Sequence, residues 1–138
     1  MRQIQSTLLY HWFEDVWNRE QEDSIAKMMS DSAILHGILQ PDQPPGATGF
    51  QQFYRNFKQQ FEHIHFDIKD VVQQDDMEVA LTDVTAIYRE TGKEVAFSGL
   101  CMVRVQEGKI AEAWNQYDFL SLNKQIEASS PNTVLTPV

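Results

Sequence analysis

The stretch from Lys93 to Phe119 constrains the fold most, because its pattern predicts two long strands joined by a tight turn at residues 107–108. Apolar residues recur at every second position of the first strand, and strand residues two apart share one face of a sheet. At the same period, the second strand carries Trp114, Gln116 and Asp118. A carboxylate is costly to bury among apolar neighbours. Asp118 is therefore the first candidate for a functional residue.

The rest of the chain alternates between helical and strand periodicity. Helices are predicted in the N-terminal half, over residues 3–18, over 23–29, and from a cap at Thr48 to Phe61. Strands before the long hairpin are predicted over residues 32–39, from residue 63, and over 77–88. Residues 1–126 are expected to form one α+β domain, in which an antiparallel sheet packs against about three helices. Residues 127–138 are rich in Ser, Pro and Thr and are expected to form a polar tail.

Composition excludes several classes of function. The net charge of −9 and the pI of about 4.7 oppose binding to nucleic acid, which needs a basic surface. The N-terminal stretch has no apolar run long enough for a signal peptide or a membrane span, so we expect no membrane partner. The single cysteine, Cys101, suits a reducing cytoplasm. The histidines lack the spacing of metal ligands and no phosphate-binding glycine loop is present, so we expect no metal and no cofactor.

Counting outward from the two hairpin turns predicts which side chains share a pocket face. In the long hairpin, Phe97 is expected to lie opposite Asp118, and Cys101 opposite Trp114. Across the preceding turn, Phe97 is expected to lie opposite Ala86, and Cys101 opposite Thr82. This face is mostly apolar with a few polar groups, which is typical of sites for hydrophobic small molecules. The candidate substrate-binding residues are Trp114, Gln116, Tyr88, Phe97 and His36 and, from the helices above the sheet, Trp12, Trp17 and Phe53.

Two interpretations of Asp118 remain open. In an apolar pocket the pKa of a carboxyl group rises toward neutrality, which suits a general base next to a carbonyl group. At the end of a strand, Asp118 would instead cap the next helical turn. The opposite face of the sheet is also apolar, through residues such as Leu100 and Met102, so we expect a homodimer through that outer face.

Two segments resemble a known family. GFQQFYRNFKQQFEHIHFDIKDVV resembles the glycine-led helix and following strand of the SnoaL-like polyketide cyclases. TGKEVAFSGLCMVRVQEGKIAEAWNQYD resembles that family's TGK, GKI and E-x-W segments, with an Asp four residues after the Trp. The family belongs to the NTF2-like superfamily. The resemblance therefore implies a cystatin-like α+β cone, in which a strongly curved antiparallel sheet wraps around the helices.

The resemblance also implies a function. SnoaL-like cyclases are cofactor-free enzymes that close a ring by intramolecular aldol condensation, and Asp118 stands at the position of their acidic general acid/base. The chain departs from the family pattern at Thr85-Ala86, where many members carry a Thr-His pair. Two functions therefore remain open: a cyclase- or isomerase-like enzyme acting on a hydrophobic carbonyl compound, and a non-catalytic ligand-binding or dimerisation module on the same fold.

Overall fold

The structure is a computed structural model that describes residues 3–38 and 42–128. The first helical segment comprises a 3-10 turn (Ile4–Ser6), helix α1 (Leu8–His11) and a π-helix (Trp12–Asn18). The later helices are α2 (Ser24–Met28), α3 (Gly46–Gln60) and α4 (Phe119–Ala128). The strands are β1 (Met29–His36), β2 (Phe61–Gln74), β3 (Met77–Tyr88), β4 (Lys93–Gln106) and β5 (Lys109–Tyr117). The predicted α+β class, with its helices mainly in the N-terminal half, is confirmed.

The strands form one five-stranded sheet in the order β1-β5-β4-β3-β2. β2 to β5 make the predicted antiparallel meander, whereas β1 pairs with β5 in parallel, so the sheet is mixed rather than purely antiparallel. The two predicted hairpin turns contain Gly92 and Gly108, whose φ angles are +74° and +76°. Glycine adopts this left-handed conformation without steric cost, which explains where the turns fall.

The pairing of β3 with β4 differs from the prediction by two residues. Phe97 lies opposite Val84 rather than Ala86, and Cys101 lies opposite Ala80 rather than Thr82. Because the side-chain period of a strand is two, this shift leaves every residue on its predicted face. The inner face of β3 and β4 is therefore the predicted one.

β5 contains a bulge that strict alternation did not predict. Val105 pairs with Ile110, but the next pair is Arg104 with Glu112, so Ala111 is an extra residue on β5. An extra residue reverses the faces of all the residues that follow it in the strand.

Beyond this bulge the inner and outer residues of β5 exchange places. Ala113 is buried, with 4% of its surface exposed, and Cys101 lies opposite Asn115. The predicted pairs of Cys101 with Trp114 and of Phe97 with Asp118 are therefore wrong. Two features stabilise the bulged register: Ala113 is buried, and Glu112 forms ion pairs with His36 and Arg104.

The helices are attached to the sheet by specific contacts. α3 begins at Gly46 rather than after Thr48. Gly46 has φ of +69° and packs so closely on the carbonyl of Asp31 in β1 that any Cβ would collide with it. α4 is fixed to β4 by the amide of Gln125, whose Oε1 accepts from the Ala96 N–H at 2.9 Å and whose Nε2 donates to the Ala96 carbonyl at 2.6 Å.

Two predicted segments extend past the described residues. Residues 127 and 128 of the predicted polar tail belong to α4, while its residues 129–138 lie outside the described residues. Leu39, the predicted end of the first strand, also lies outside them. Across the described ranges, no helix is long and apolar enough to span a membrane.

Candidate functional site

A cavity lies between the helices and the inner face of the sheet. Its volume is about 40 Å³, which is room for a few waters, since one water needs roughly 10–15 Å³. Its described lining is largely aromatic and consists of Trp12, Phe13, Trp17, Ile38, Phe50, Phe53, Phe57, Phe66, Phe97, Asn115, Tyr117 and Phe119.

Trp17 is the centre of the cavity roof. Its ring centroid lies 4.8 Å from that of Tyr54, 5.1 Å from Phe66 and 5.8 Å from Phe57, all within the range of favourable aromatic contacts. The neighbouring Asn18 holds this roof on β2, because its Nδ2 donates to the Phe66 carbonyl at 2.9 Å and its Oδ1 accepts from the Phe66 N–H at 2.7 Å. The roof is therefore rigidly attached to the sheet.

Tyr117 forms the floor of the cavity. It lies opposite Gly99, which lies opposite Thr82 on the next strand. The Tyr117 ring crosses over Gly99, where a Cβ would collide with it, and its hydroxyl meets the Thr82 hydroxyl at 3.2 Å. Burial raises the pKa of Tyr117 well above its ordinary value, so the phenol is neutral at physiological pH.

Asn115 lies beside Tyr117 and supplies the amide of the cavity. Its Nδ2 donates to the backbone carbonyl of His36 at 3.0 Å. Because a carbonyl can only accept, this bond directs the NH₂ group toward β1 and leaves Oδ1 as the acceptor of the amide. The cavity therefore combines aromatic walls with one amide and one phenol, a combination that can orient a small polar group on an apolar ligand.

The structure brings together four of the predicted site residues. Trp12, Trp17, Phe53 and Phe97 all belong to the cavity lining. The other predicted site residues lie outside the described lining: Asp118, Trp114, Gln116, Tyr88 and His36.

Asp118 is exposed and caps α4. Its carboxylate accepts the N–H of Ser121 at 3.0 Å, and its own N–H donates to the Ser98 carbonyl at 3.0 Å. The prediction that Asp118 faces the pocket is wrong because of the β5 bulge, and the alternative interpretation as a cap is confirmed. Its role as a general base stays a prediction that this position does not favour.

Trp114, Gln116 and His36 lie on the outer face, and their predicted pocket positions are also wrong. The rings of His36 and Trp114 stack with centroids 5.4 Å apart. Glu112 joins them to Arg104, with contacts of 2.8 Å to His36 Nε2 and 2.6 Å to Arg104 Nη1. The hydrogen bond from His36, and then that from Arg104, lower the pKa of Glu112.

Tyr88 ends β3 at the hairpin turn. Its hydroxyl donates to Glu90 at 2.7 Å, and its ring packs on Phe61 with centroids 5.4 Å apart. The hydrogen bond to Glu90 raises the pKa of Tyr88. Tyr88 therefore does not reach the cavity, contrary to the prediction.

One buried carboxylate was not predicted. Glu78 is only 3% exposed on the inner side of β3, and it accepts the N–H groups of Leu8 at 3.1 Å and Leu9 at 2.8 Å. The period-two pattern of β3 extends to Glu78 and could have identified it as an inward residue. Its oxygens are occupied at the start of α1, where a negative charge is favoured by the helix dipole.

Strict alternation along β5 would place Asn115 and Tyr117 on the outer face of the sheet, whereas the extra residue Ala111 turns them inward. The sequence held one signal in their favour, because an Asp directly before an apolar helical segment is typical of a helix N-cap. Placing Asp118 outside would have turned Tyr117 and Asn115 inward.

The family model of the SnoaL-like polyketide cyclases matches residues 7–126, almost the whole described chain. The chain belongs to the SnoaL-like polyketide cyclase family. The predicted family and the NTF2-like fold are thus confirmed. No curated protein matches this SnoaL-like chain.

Solved structures with the same fold share little sequence with this SnoaL-like chain. A candidate polyketide cyclase from Acidithiobacillus ferrooxidans is 20% identical, with a TM-score of 0.78 over 89% of this chain and 94% of its own. A SnoaL-like polyketide cyclase from Agrobacterium tumefaciens is 16% identical, with a TM-score of 0.72 and coverages of 91% and 99%. A protein with a ketosteroid isomerase-like fold from Catenulispora acidiphila, in complex with trimethylamine, is 12% identical, with a TM-score of 0.76 and coverages of 96% and 98%.

Proposed function

We propose that this protein binds a small hydrophobic molecule in its aromatic cavity and acts as a ligand-binding member of its family. The composition of the cavity lining carries this proposal: aromatic walls, with Asn115 and Tyr117 as the polar groups. Such a surface gains free energy by burying an apolar ligand, at about 25 cal/mol per Å². The amide of Asn115 would orient one polar atom of the ligand.

Acetophenone, a small aromatic ketone, tests this function by titration calorimetry. Because the cavity of about 40 Å³ holds only a few waters, binding of this ligand requires the aromatic side chains of the lining to move apart. We expect saturable binding to the wild type and unchanged binding to Asp118→Asn, because Asp118 is outside the lining. Asn115→Leu should weaken binding about fivefold, the effect of one lost hydrogen bond. A titration without saturable heat would contradict the proposed function.

The second candidate is a cofactor-free cyclase or isomerase with Asp118 as general base. One observation favours it: Asp118 stands between Tyr117 and Phe119, which both line the cavity. Catalysis would require the first turn of α4 to open, so that the carboxylate leaves the Ser121 N–H and turns inward. Loss of turnover in Asp118→Asn, with ligand binding retained, would favour this enzyme over the binding protein.

We also propose a homodimer through the outer face of the sheet. Leu81 and Leu100 are neighbours there and are 43% and 47% exposed. Arg104 and Glu112 compensate each other's charge within one copy, so this pair adds no net charge where two identical faces meet.

Sedimentation velocity tests the dimer with two matched variants. Leu100→Lys should convert a dimer into a folded monomer, because it places an ammonium group in the centre of the interface. Leu120→Lys is the control, since Leu120 is 62% exposed on α4, away from the sheet face. A wild-type monomer at micromolar concentration would contradict the proposed dimer.

A cytoplasmic location is part of the same proposal. It is supported by the single cysteine, Cys101, which is buried and whose pKa burial raises to about 12. Such a thiol does not form disulfides readily, because the thiolate is the reactive species. Fractionation of the producing cells, with the protein followed by antibody, tests the location.

A further inference from the structure

A thin wall separates the aromatic cavity from an open groove between α3 and α4. Ile38, Phe53, Phe57 and Phe119 line both spaces, so this wall is one layer of apolar side chains thick. The four side chains are half-buried, whereas Trp17 in the roof of the cavity is only 4% exposed. Among the described sides of the cavity, the wall therefore offers a short path from solvent.

The closed cavity is too small for an aromatic ligand. Its volume is about 40 Å³, whereas a cavity that admits benzene has a volume of roughly 150 Å³. A ligand can therefore enter only if part of the lining moves outward. The wall can move into the groove, which is open to solvent. Movement of the roof would instead break the ring contacts of Trp17 and both hydrogen bonds between Asn18 and Phe66.

Of the two helices beside the wall, α4 is held less firmly than α3. The Tyr54 hydroxyl in α3 donates to the Val16 carbonyl at 2.7 Å. The buried residues of α3 are Gly46, Ala47, Gly49, Phe50 and Tyr54. In α4, Leu122 is the one buried side chain among those that the structure describes. Segments with few buried side chains open at a lower free energy than the core, so we expect α4, with Phe119 in its first turn, to move.

Gln125 concentrates three hydrogen bonds between α4 and β4. Its side-chain amide pairs with both backbone groups of Ala96, at 2.9 Å and 2.6 Å, and its backbone carbonyl accepts from Nζ of Lys93 at 3.0 Å. We call the Gln125 amide the latch. Gln125 belongs to the described lining of neither the cavity nor the groove, so it can restrain α4 without contacting a ligand.

We propose that ligands enter the cavity through the wall, between Phe53 and Phe57 of α3 and Phe119 of α4, and that the latch controls the rate of entry. When the Gln125 amide releases Ala96, α4 moves away from α3 and carries Phe119 out of the wall. This proposal rests on the proposed ligand-binding function and adds to it an entrance and a residue that controls access.

The latch has a kinetic signature that a ligand-contacting residue lacks. It is closed before the ligand enters and closed again afterwards, so its loss destabilises the free and the bound protein equally. Association and dissociation then accelerate by the same factor, and Kd stays constant. Loss of a ligand contact, such as that of Asn115, raises Kd instead.

Stopped-flow fluorescence with acetophenone tests this signature in a Trp114→Phe background, where Trp12 and Trp17 of the cavity lining report binding. Gln125→Met removes the amide and should raise both rate constants about fivefold or more, with Kd within twofold of its original value. The matched variant Asn18→Leu removes the corresponding amide from the roof and should change the rates less. Unchanged rates in Gln125→Met, a higher Kd with an unchanged association rate, or an equal or larger acceleration in Asn18→Leu would overturn the entrance but leave the proposed function intact.

Acrylamide, a small neutral quencher that must touch an indole ring, tests the entrance without a bound ligand. In the same Trp114→Phe background, Gln125→Met should at least double the quenching constant of Trp12 and Trp17. Lys93→Met, which removes only the bond to the Gln125 carbonyl, should raise it by a smaller factor. Unchanged quenching in both variants would overturn the entrance. If acetophenone does not bind, the proposed function fails, and quenching still decides whether this wall opens. Circular dichroism verifies that each variant is folded.

Discussion

Glu78 provides the sharpest test of how the cavity roof is held on the sheet. Its carboxylate accepts the N–H of Leu8 at 3.1 Å, the N–H of Leu9 at 2.8 Å and Nε2 of Gln73 at 3.4 Å. In Glu78→Gln, an NH₂ group replaces one of the two oxygens, so at least one backbone donor loses its acceptor. Hydrogen bonds to charged groups contribute about 1.5–3 kcal/mol each. We therefore expect the free energy of unfolding to fall by about 2–3 kcal/mol.

Urea denaturation followed by circular dichroism measures this loss. The midpoint should fall while the slope m stays constant, because the substitution does not change the surface exposed on unfolding. Glu94→Gln is the matched control, since Glu94 is exposed on the neighbouring β4 and its substitution should change stability by less than about 0.5 kcal/mol. If Glu78→Gln proves as mild as Glu94→Gln, the argument that this carboxylate attaches α1 to β3 is refuted.

The close contact at Gly99, the cap of α4 and the ion pairs of Glu112 can each be tested by substitution. Gly99→Ala should lower stability by about 1–3 kcal/mol, because the new methyl displaces the Tyr117 ring; an unchanged urea midpoint would contradict this. Asp118→Ala should cost about 1 kcal/mol through loss of the α4 cap, whereas Asp118→Asn, which retains a capping oxygen, should be close to wild type in thermal melts. The pKa of Glu112 lies below its ordinary value of 4.5. The ionised Glu112 therefore stabilises the fold above pH 4.5, and this stabilisation is lost as the pH falls through the lowered pKa. Denaturation curves at several pH values should show this acid-dependent loss for the wild type but not for Glu112→Gln.

The strands and helices could be predicted well from the sequence, because apolar residues recur in each of them with the period of that structure. The inner face of β4 alternates over the whole strand, so an error of two in register left Phe97 and Cys101 on the correct face. The aromatic face of α3 likewise predicted that Phe53 would line the cavity. Local periodicity therefore sufficed wherever a strand or helix was regular.

The site could not be predicted in full because it depends on one irregular residue and on distant contacts. The extra residue Ala111 reverses the face of Asn115 and of Asp118. The parallel pairing of His36 with Trp114 joins segments that are far apart in the chain, and no local period reports it. The position of Asp118, the candidate general base, therefore depends on a bulge in β5 that strict alternation does not reveal.

The side-chain amides of Asn18 and Gln125 have a further consequence, for aggregation. Each amide occupies both the N–H and the carbonyl of one strand residue, Phe66 on β2 and Ala96 on β4, as a neighbouring strand would. Unoccupied strand edges are templates on which other chains add as β-strands. The two amides therefore occupy backbone positions that would otherwise be open to such pairing, and they do so without adding a strand to the domain.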